Sequence, residues 1–327
     1  MNRRNLLTTA LALGAALTCG SAAQAQFKPT RPLELVVHSG PGGGNDVMGR
    51  ALIAAIDDAK LSPVRIQINN KVGGGGATAA SYLADKKGDP NVIAIFTSVW
   101  ITNPLVQQEA NVSMLRDLTP ISLMVLEPAL IAVRADSPYK SMTELMDAAK
   151  ANPGKMKQSG GSPLARDALV RTVLQAKTGG RWAFISFPSG GERISALLGG
   201  HVDMMVIEPQ EAGELMRSGK LRALAQVADA RLPEFKDIPT LKESGFDVPN
   251  PPQPRGIVGP PGMAPDVLAY YVDLIARANK SPGWQKFLRD GLLEEKLLPP
   301  KETAEFLAGT ETQMRSILTE SGVKLVR

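Results

Sequence analysis

The chain has 327 residues, 43% of them hydrophobic, and 37 Lys and Arg against 32 Asp and Glu give a formal net charge of +5. This excess is mild and the bases are scattered, which argues against nucleic acid as a partner. One cysteine and two histidines exclude a disulfide framework and leave no residue set with metal-ligand spacing.

Residues 1–25 read as an export signal: Arg3 and Arg4, an apolar core from Leu6 to Leu17, and Ala23-Gln24-Ala25 as a cleavage site. The mature chain then begins near Gln26, in the periplasm, by either a general or a twin-arginine route. Cys19 lies inside the signal, so the mature chain has no thiol; Ala16-Leu17-Thr18 before it is a poor acylation context, and no lipid anchor is expected. The signal core is too short for a permanent span, and no later stretch approaches the ~20 apolar residues that spanning requires. Loss of Arg3 and Arg4, the only charges in the signal, takes the net charge from +5 to +3. The remaining 302 residues (327 minus 25) suffice for two domains.

Leu33 to His38, Val64 to Asn69 and Val92 to Ser98 read as strands, with helices at Val47 to Ala59 and Ala77 to Lys86 between them. Such alternation implies a mainly parallel sheet with helices on both faces. Leu118 to Leu126 and Ala129 to Arg134 are separated only by Glu127-Pro128, so the alternation stops there in what looks like a crossing between domains. Ser141, three before Glu144, then caps a helix to Ala151. Strands follow near Met156 to Ser159, Ala183 to Phe187, Val202 to Ile207 and Leu221 to Ala228, with helices from Pro163 to Lys177, Glu192 to Leu198 and Pro209 to Ser218. Leu232 to Pro254, with six prolines, is a folded connector back to a strand at Arg255 to Val258. Helices at Pro265 to Asn279, Pro282 to Asp290 and Pro300 to Glu320 complete a tail expected on the first domain, with Glu294-Glu295 as solvated helix or loop charges.

Four glycine clusters stand where strands give way to helices: Gly40-Pro41-Gly42-Gly43-Gly44-Asn45-Asp46, Gly73 to Gly76 with Ala77 and Thr78, Ser159-Gly160-Gly161-Ser162, and Ser189-Gly190-Gly191-Glu192. Glycine lets backbone N–H groups approach a ligand, and a helix head adds unpaired donors, so each is a candidate anion cradle. Turn geometry alone would also account for any one of them. A dinucleotide fingerprint fails because Asn45 and Thr78 occupy the third glycine position, and no phosphate-loop Gly-Lys-Ser or Gly-Lys-Thr occurs. No cofactor is expected. For a hydrolase the mature chain offers only His38 and His201 as bases, and no serine sits in a Gly-x-Ser-x-Gly elbow; Ser162 is better placed as a helix N-cap. His38 ends the first strand and could touch a pocket or be satisfied by backbone, whereas His201 reads as a loop residue. Asp46 reads as a first-turn acid and Met204 and Met205 as core.

The clusters at 40–46 (with Arg50), 70–76 and 189–192, together with Leu197 to Asp203, Arg255-Gly256 and Pro260 to Met263, resemble the periplasmic receptors of tripartite tricarboxylate transporters, the Bug receptors, over essentially the whole mature chain. The resemblance implies a type II-like, two-lobed α/β binding protein with a two-segment hinge, lobe 1 at 26–126 plus 250–327 and lobe 2 at 127–249. It implies a monomeric receptor, not an enzyme, that delivers a small carboxylated solute to a membrane permease; an exported hydrolase and a carboxylate sensor of the same fold are the alternatives. It places ligand at Gly42, Gly43, Gly44, Asn45, Gly74, Gly75, Gly76, Ala77, Thr78, Thr97 and Ser98 of one lobe, facing Ser159, Gly160, Ser162, Ser189 and Gly190 of the other. Many relatives carry His after the second-lobe Gly-Ser pair and Tyr-Lys-Gly after the next strand. Here Leu164-Ala165-Arg166 and Phe187-Pro188-Ser189 stand instead, leaving Arg166 either as a candidate for a second carboxylate or as an exposed helix arginine.

Overall fold

The computed structural model describes residues 27–327, so the segment read as an export signal, with Cys19, lies outside the described residues. Two mixed sheets carry the fold, and the order of the apolar runs in the chain decides which strands enter which sheet. The first sheet has the order β11-β4-β10-β3-β1-β2, with β1 Leu33–Val37, β2 Ile66–Asn70, β3 Val92–Phe96, β4 Thr119–Leu126, β10 Pro254–Gly259 and β11 Glu294–Leu298. The second has the order β7-β6-β8-β5-β9, with β5 Ala129–Arg134, β6 Lys157–Gly160, β7 Ala183–Ser186, β8 Met204–Ile207 and β9 Leu221–Val227.

Each sheet contains a parallel trio, β2-β1-β3 and β7-β6-β8, bounded by antiparallel pairing to β10 and to β5. Parallel strands need crossover helices, and these are α1 Gly44–Asp58, α2 Ala77–Ala84, α6 Arg166–Thr178 and α7 Gly190–Leu198. The chain passes from β4 to β5 through Glu127-Pro128 alone and returns from β9 to β10 through residues 228–253, as expected of a crossing. Helices α3 Val99–Val106, α4 Met114–Asp117, α5 Met142–Ala151, α8 Pro209–Arg217, α9 Pro265–Asn279, α10 Pro282–Asp290 and α11 Pro300–Glu320 complete the layers.

Apolar side chains line both faces of each sheet. Trp284 and Tyr271 are fully buried on one face of the first sheet with Leu33, Leu35 and Ile257; Phe96, Trp100 and Leu307 fill the other. Met204 and Met205 take opposite faces of the second sheet, both in the core. The tail packs on the first sheet as expected: Thr303 Oγ1 accepts from the Leu123 amide at 2.8 Å. It also reaches the second lobe, because Met314, Ile317 and Leu318 of α11 cluster with Leu169 and Val173 of α6.

Three elements differ from the sequence reading, among them the single turn α4 before β4. Helix α3 follows Ser98 directly, although Val99, Ile101, Thr102 and Pro104 are poor helix formers; seven of its eight residues are buried, and packing overrides their propensity. Strand β11 carries Glu294 and Glu295, exposed acids on an edge strand paired with β4, where charge blunts further pairing. Ser141 and Ser189 cap their helices by accepting from Glu144 and Glu192 amides at 3.2 and 3.3 Å. Ser162 does not cap α6: the N-cap is Ala165, and Asp167 takes the Gly161 and Ala168 amides at 2.7 and 2.9 Å instead.

The tightest backbone approach in the first sheet lies at a bulge in β10, where a Cβ on Gly256 would overlap the Ser122 carbonyl oxygen and lie 2.8 Å from Leu123 Cα. Backbone cannot yield as a side chain can. Gly256→Ala is therefore expected to lower stability by roughly 1–3 kcal/mol, whereas Gly309→Ala, inside α11 with nothing within 4 Å, should raise it by about 1 kcal/mol. Urea midpoints of the two variants check this pair.

Candidate functional site

All three strands of each parallel trio end at one cavity of about 520 Å³ between the sheets. The segments after β1, β2 and β3 supply Gly43 to Asn45, Gly75 and Gly76, and Thr97; those after β6, β7 and β8 supply Ser162, Pro163 and Ala165 to Asp167, then Phe187 to Gly190 with Arg193, and Glu208. Carboxyl ends of parallel strands are the usual crevice of α/β folds, because the crossover helices begin there with free N–H groups. Both sides of the cavity are close together: a Cβ on Gly75 would stand 2.8 Å from Ser162 Oγ, and Thr102 Oγ1 donates to the Leu164 carbonyl at 3.0 Å.

Of the residues expected at the ligand, Gly43, Gly44, Asn45, Gly75, Gly76, Thr97, Ser162, Arg166, Ser189 and Gly190 line this cavity. Seven do not. Gly42 donates its amide to Asp46 inside the first loop, and Gly74, Ala77 and Thr78 lie behind Gly75 and Gly76, Thr78 covering Gly73. Ser98 bonds Gln253 of the second crossing, and it is Gln253 that reaches the cavity. Ser159 is fully buried within β6, and Gly160 lies beneath Phe184 and Asp167.

Asp46 organises the first loop rather than facing ligand. Its carboxylate accepts from the Gly42 amide, Arg50 and Asn70 at 2.8–3.0 Å; burial opposes its charge, but these donors hold its pKa below the ordinary value. His38 lines the cavity, and its Nδ1 accepts from Trp100 Nε1 at 2.9 Å. Burial, with Arg255 nearby, lowers its pKa to about 3, so the ring is neutral with its proton on Nε2. An acceptor already occupied by an indole N–H is a poor general base.

The sequence reading missed four charged residues of the cavity: Arg255, Arg193, Asp167 and Glu208. Arg255 is 6% exposed; it donates from Nε and Nη2 to Glu127, itself 4% exposed, and from Nη1 to Asn45 Oδ1 at 2.7 Å. Its guanidinium occupies the space a side chain on Gly44 would need, with Nη2 2.7 Å from the position of that Cβ. Arg166 meets Glu208 at 3.2 Å and the Glu127 carbonyl, so both of its ends are taken within the protein. Arg193 stands 3.5 Å from Asp167, 3.5 Å from Glu208 and 3.7 Å from Glu211, with no acceptor for its Nε among the described residues. A detectable signal existed for Arg255, since it and its partner Glu127 are lone charges in otherwise uncharged runs at the two crossings.

Burial works against the charge of Glu208, but Arg193, Arg166 and Arg255 outweigh it and hold the carboxyl ionised. Glu211 is pushed up to about 8, first by burial and then by Glu208, and it rests against Gly190 at the head of α7. The folded state therefore binds a proton at Glu211 that the unfolded chain releases, and this contribution to stability falls as pH rises from the ordinary carboxylate range to about 8. Glu208 acts in the opposite sense, losing its contribution as pH falls below that range. Melting temperatures between pH about 5 and about 8 should decline less in Glu211→Gln than in the parent.

The comparisons with known proteins agree with this architecture. Residues 54–323 match the family model described as the tripartite tricarboxylate transporter family receptor. A UPF0065 protein of the gbd 5′ region of Cupriavidus necator is 30% identical over 330 residues, covering 99% of each chain. Among solved structures, the periplasmic binding protein BugD is 23% identical with a TM-score of 0.83, covering 90% of this chain and 99% of its own. An R. palustris protein solved with adipate is 21% identical with the same TM-score of 0.83, over 90% and 99% of the two chains. Among the described residues no helix is long and apolar enough to cross a membrane, and no cluster of potential metal ligands occurs. The chain belongs to the tripartite tricarboxylate transporter receptor family, a family of solute-binding receptors and not of enzymes.

Proposed function

We propose that this receptor works in the periplasm as a monomer, trapping one small carboxylated solute in the cavity between its lobes and presenting it to the membrane permease of a tripartite tricarboxylate-type transporter. The observation that carries this reading is the convergence of six strand ends, three from each sheet, on one cavity. The first-lobe residues Gly43 to Asn45, Gly75 and Gly76 with Thr97 hold the carboxylate, chiefly by backbone N–H groups. Ser162, Ser189 and Gly190 close on it from lobe 2. Residues 127–128 and 228–253 act as the hinge between lobe 1 (27–126 and 250–327) and lobe 2 (127–249). The adipate found with a relative of the same fold is in keeping with a carboxylate of this size.

Magnitudes require both walls. One helix head contributes ~0.3–1 kcal/mol to an exposed anion and ~2 kcal/mol when partly buried, against about 8 kcal/mol for a micromolar complex. Water must be excluded and the donors of both lobes must act together.

Titration calorimetry is expected to give saturable one-to-one binding of a small carboxylate with no product formed. Gly75 has φ +62° and faces Ser162 across the cavity; Gly154 has φ +78° with nothing within 4 Å of an added Cβ. Gly75→Ala should weaken binding at least about tenfold, roughly 1.4 kcal/mol, while Gly154→Ala bears the same backbone strain and leaves affinity unchanged. Equal affinities in the two variants would place the ligand elsewhere.

A further inference from the structure

We infer that the cavity selects a solute with a single carboxylate on a neutral, largely apolar body and discriminates against the matching dicarboxylate. This deepens the receptor reading above and rests on it. Three guanidinium groups reach the cavity, those of Arg166, Arg193 and Arg255, and each is already answered from within the protein: Arg166 by Glu208, Arg193 by Asp167, Glu208 and Glu211, and Arg255 by Glu127. Three cations thus face four carboxyl groups.

With all four ionised the set has a net charge of −1. Burial raises the pKa of both Asp167 and Glu211, and with these two protonated the net charge is +1. In either state the wall balances at most one ligand carboxylate, and a second would enter a water-poor cavity without a counter-charge. What Arg193 lacks is an acceptor at Nε, which a neutral oxygen can supply.

Three of the helix heads are answered in the same way, whereas those of α2 and α3 carry no acid in the first turn and leave room for one carboxylate. Asp46 stands in the first turn of α1, Asp167 in that of α6, and Glu192 in that of α7, where Glu211 also packs against Gly190. An acid in the first turn competes with a bound anion for the same N–H groups and the same partial charge. Away from these charges Val72, Pro163, Phe187, Pro188 and Val206 give the lining its apolar part, and its remaining polar groups, Thr97, Ser162, Ser186, Ser189 and Gln253 among them, are uncharged. Val72 is also among the most exposed large apolar side chains of the protein, at 58%, as expected of a rim that meets an apolar ligand. Phe187 and Pro188 form the turn after β7, and among the described residues no lysine lines the cavity to meet a distal carboxylate.

The test uses the mature protein at neutral pH and two ligand pairs that differ by one carboxylate: hexanoate against adipate, and benzoate against terephthalate. Calorimetry is expected to show the monocarboxylate binding at least about tenfold more tightly in at least one pair, with adipate and terephthalate favoured in neither. Glu208→Gln, which removes a counter-charge shared by Arg166 and Arg193, should shift the preference at least tenfold toward the dicarboxylate; Asp167→Asn, which can keep the loop contact to Gly161, is the second variant should the first fail to fold. Equal or tighter binding of the dicarboxylate by the parent overturns the inference and leaves the receptor reading standing. Absence of saturable binding by all four acids overturns the receptor reading and the inference with it.

Discussion

The buried pair Arg255–Glu127 is the contact on which the rest of the site depends. Glu127 occupies the first crossing between the sheets, and Arg255 stands just past the second, at the start of β10. The Glu127 amide also donates to the Gln253 carbonyl at 3.0 Å, and its own carbonyl accepts from Arg166. One residue therefore joins both crossings to the head of α6. A pair this deeply buried contributes little net stability compared with an apolar replacement, but loss of one partner leaves an unpaired charge in the core, at a cost of about 3–5 kcal/mol. Its role is positional: the Arg255 guanidinium fills the space beside Gly44 and fixes Asn45, so the first glycine loop is set by a residue more than two hundred positions away.

Sheet topology then decides where ligand can go. Each parallel trio directs three loops to its carboxyl end, and the two trios point these ends at one another across the cavity. Antiparallel strands β10 and β5 flank the trios, and the passage between sheets runs beside them through the fewest possible residues, Glu127 and Pro128. Such an arrangement places every glycine cluster at the cavity without any of them being close in sequence.

Much of this was legible in the chain. Short Val- and Ile-rich runs alternating with capped helices gave both sheets, and Glu127-Pro128 between two apolar runs marked the crossing. Helix α3 was hidden because Val99, Ile101, Thr102 and Pro104 favour other conformations, and only burial makes them helical. Strand β11 was hidden by charges suited to a sheet edge. Within the site, glycine positions were visible because backbone geometry is local. Charged partners were not: Arg193 meets Asp167, Glu208 and Glu211 only after three separate elements have packed, and no spacing in the sequence encodes that meeting. Arg166 shows the same limit, reading as a free cation in sequence and standing fully engaged in the fold.

Two walls of unlike character thus share one cavity, a first-lobe wall of backbone donors and a second-lobe wall of self-neutralised charge. Neither holds an anion tightly alone, which makes lobe closure the central claim. Small-angle X-ray scattering of the mature protein with and without a carboxylate whose binding has been measured independently tests it most directly. The radius of gyration should fall at saturation; an unchanged radius with the site fully occupied would contradict a receptor that closes on its ligand.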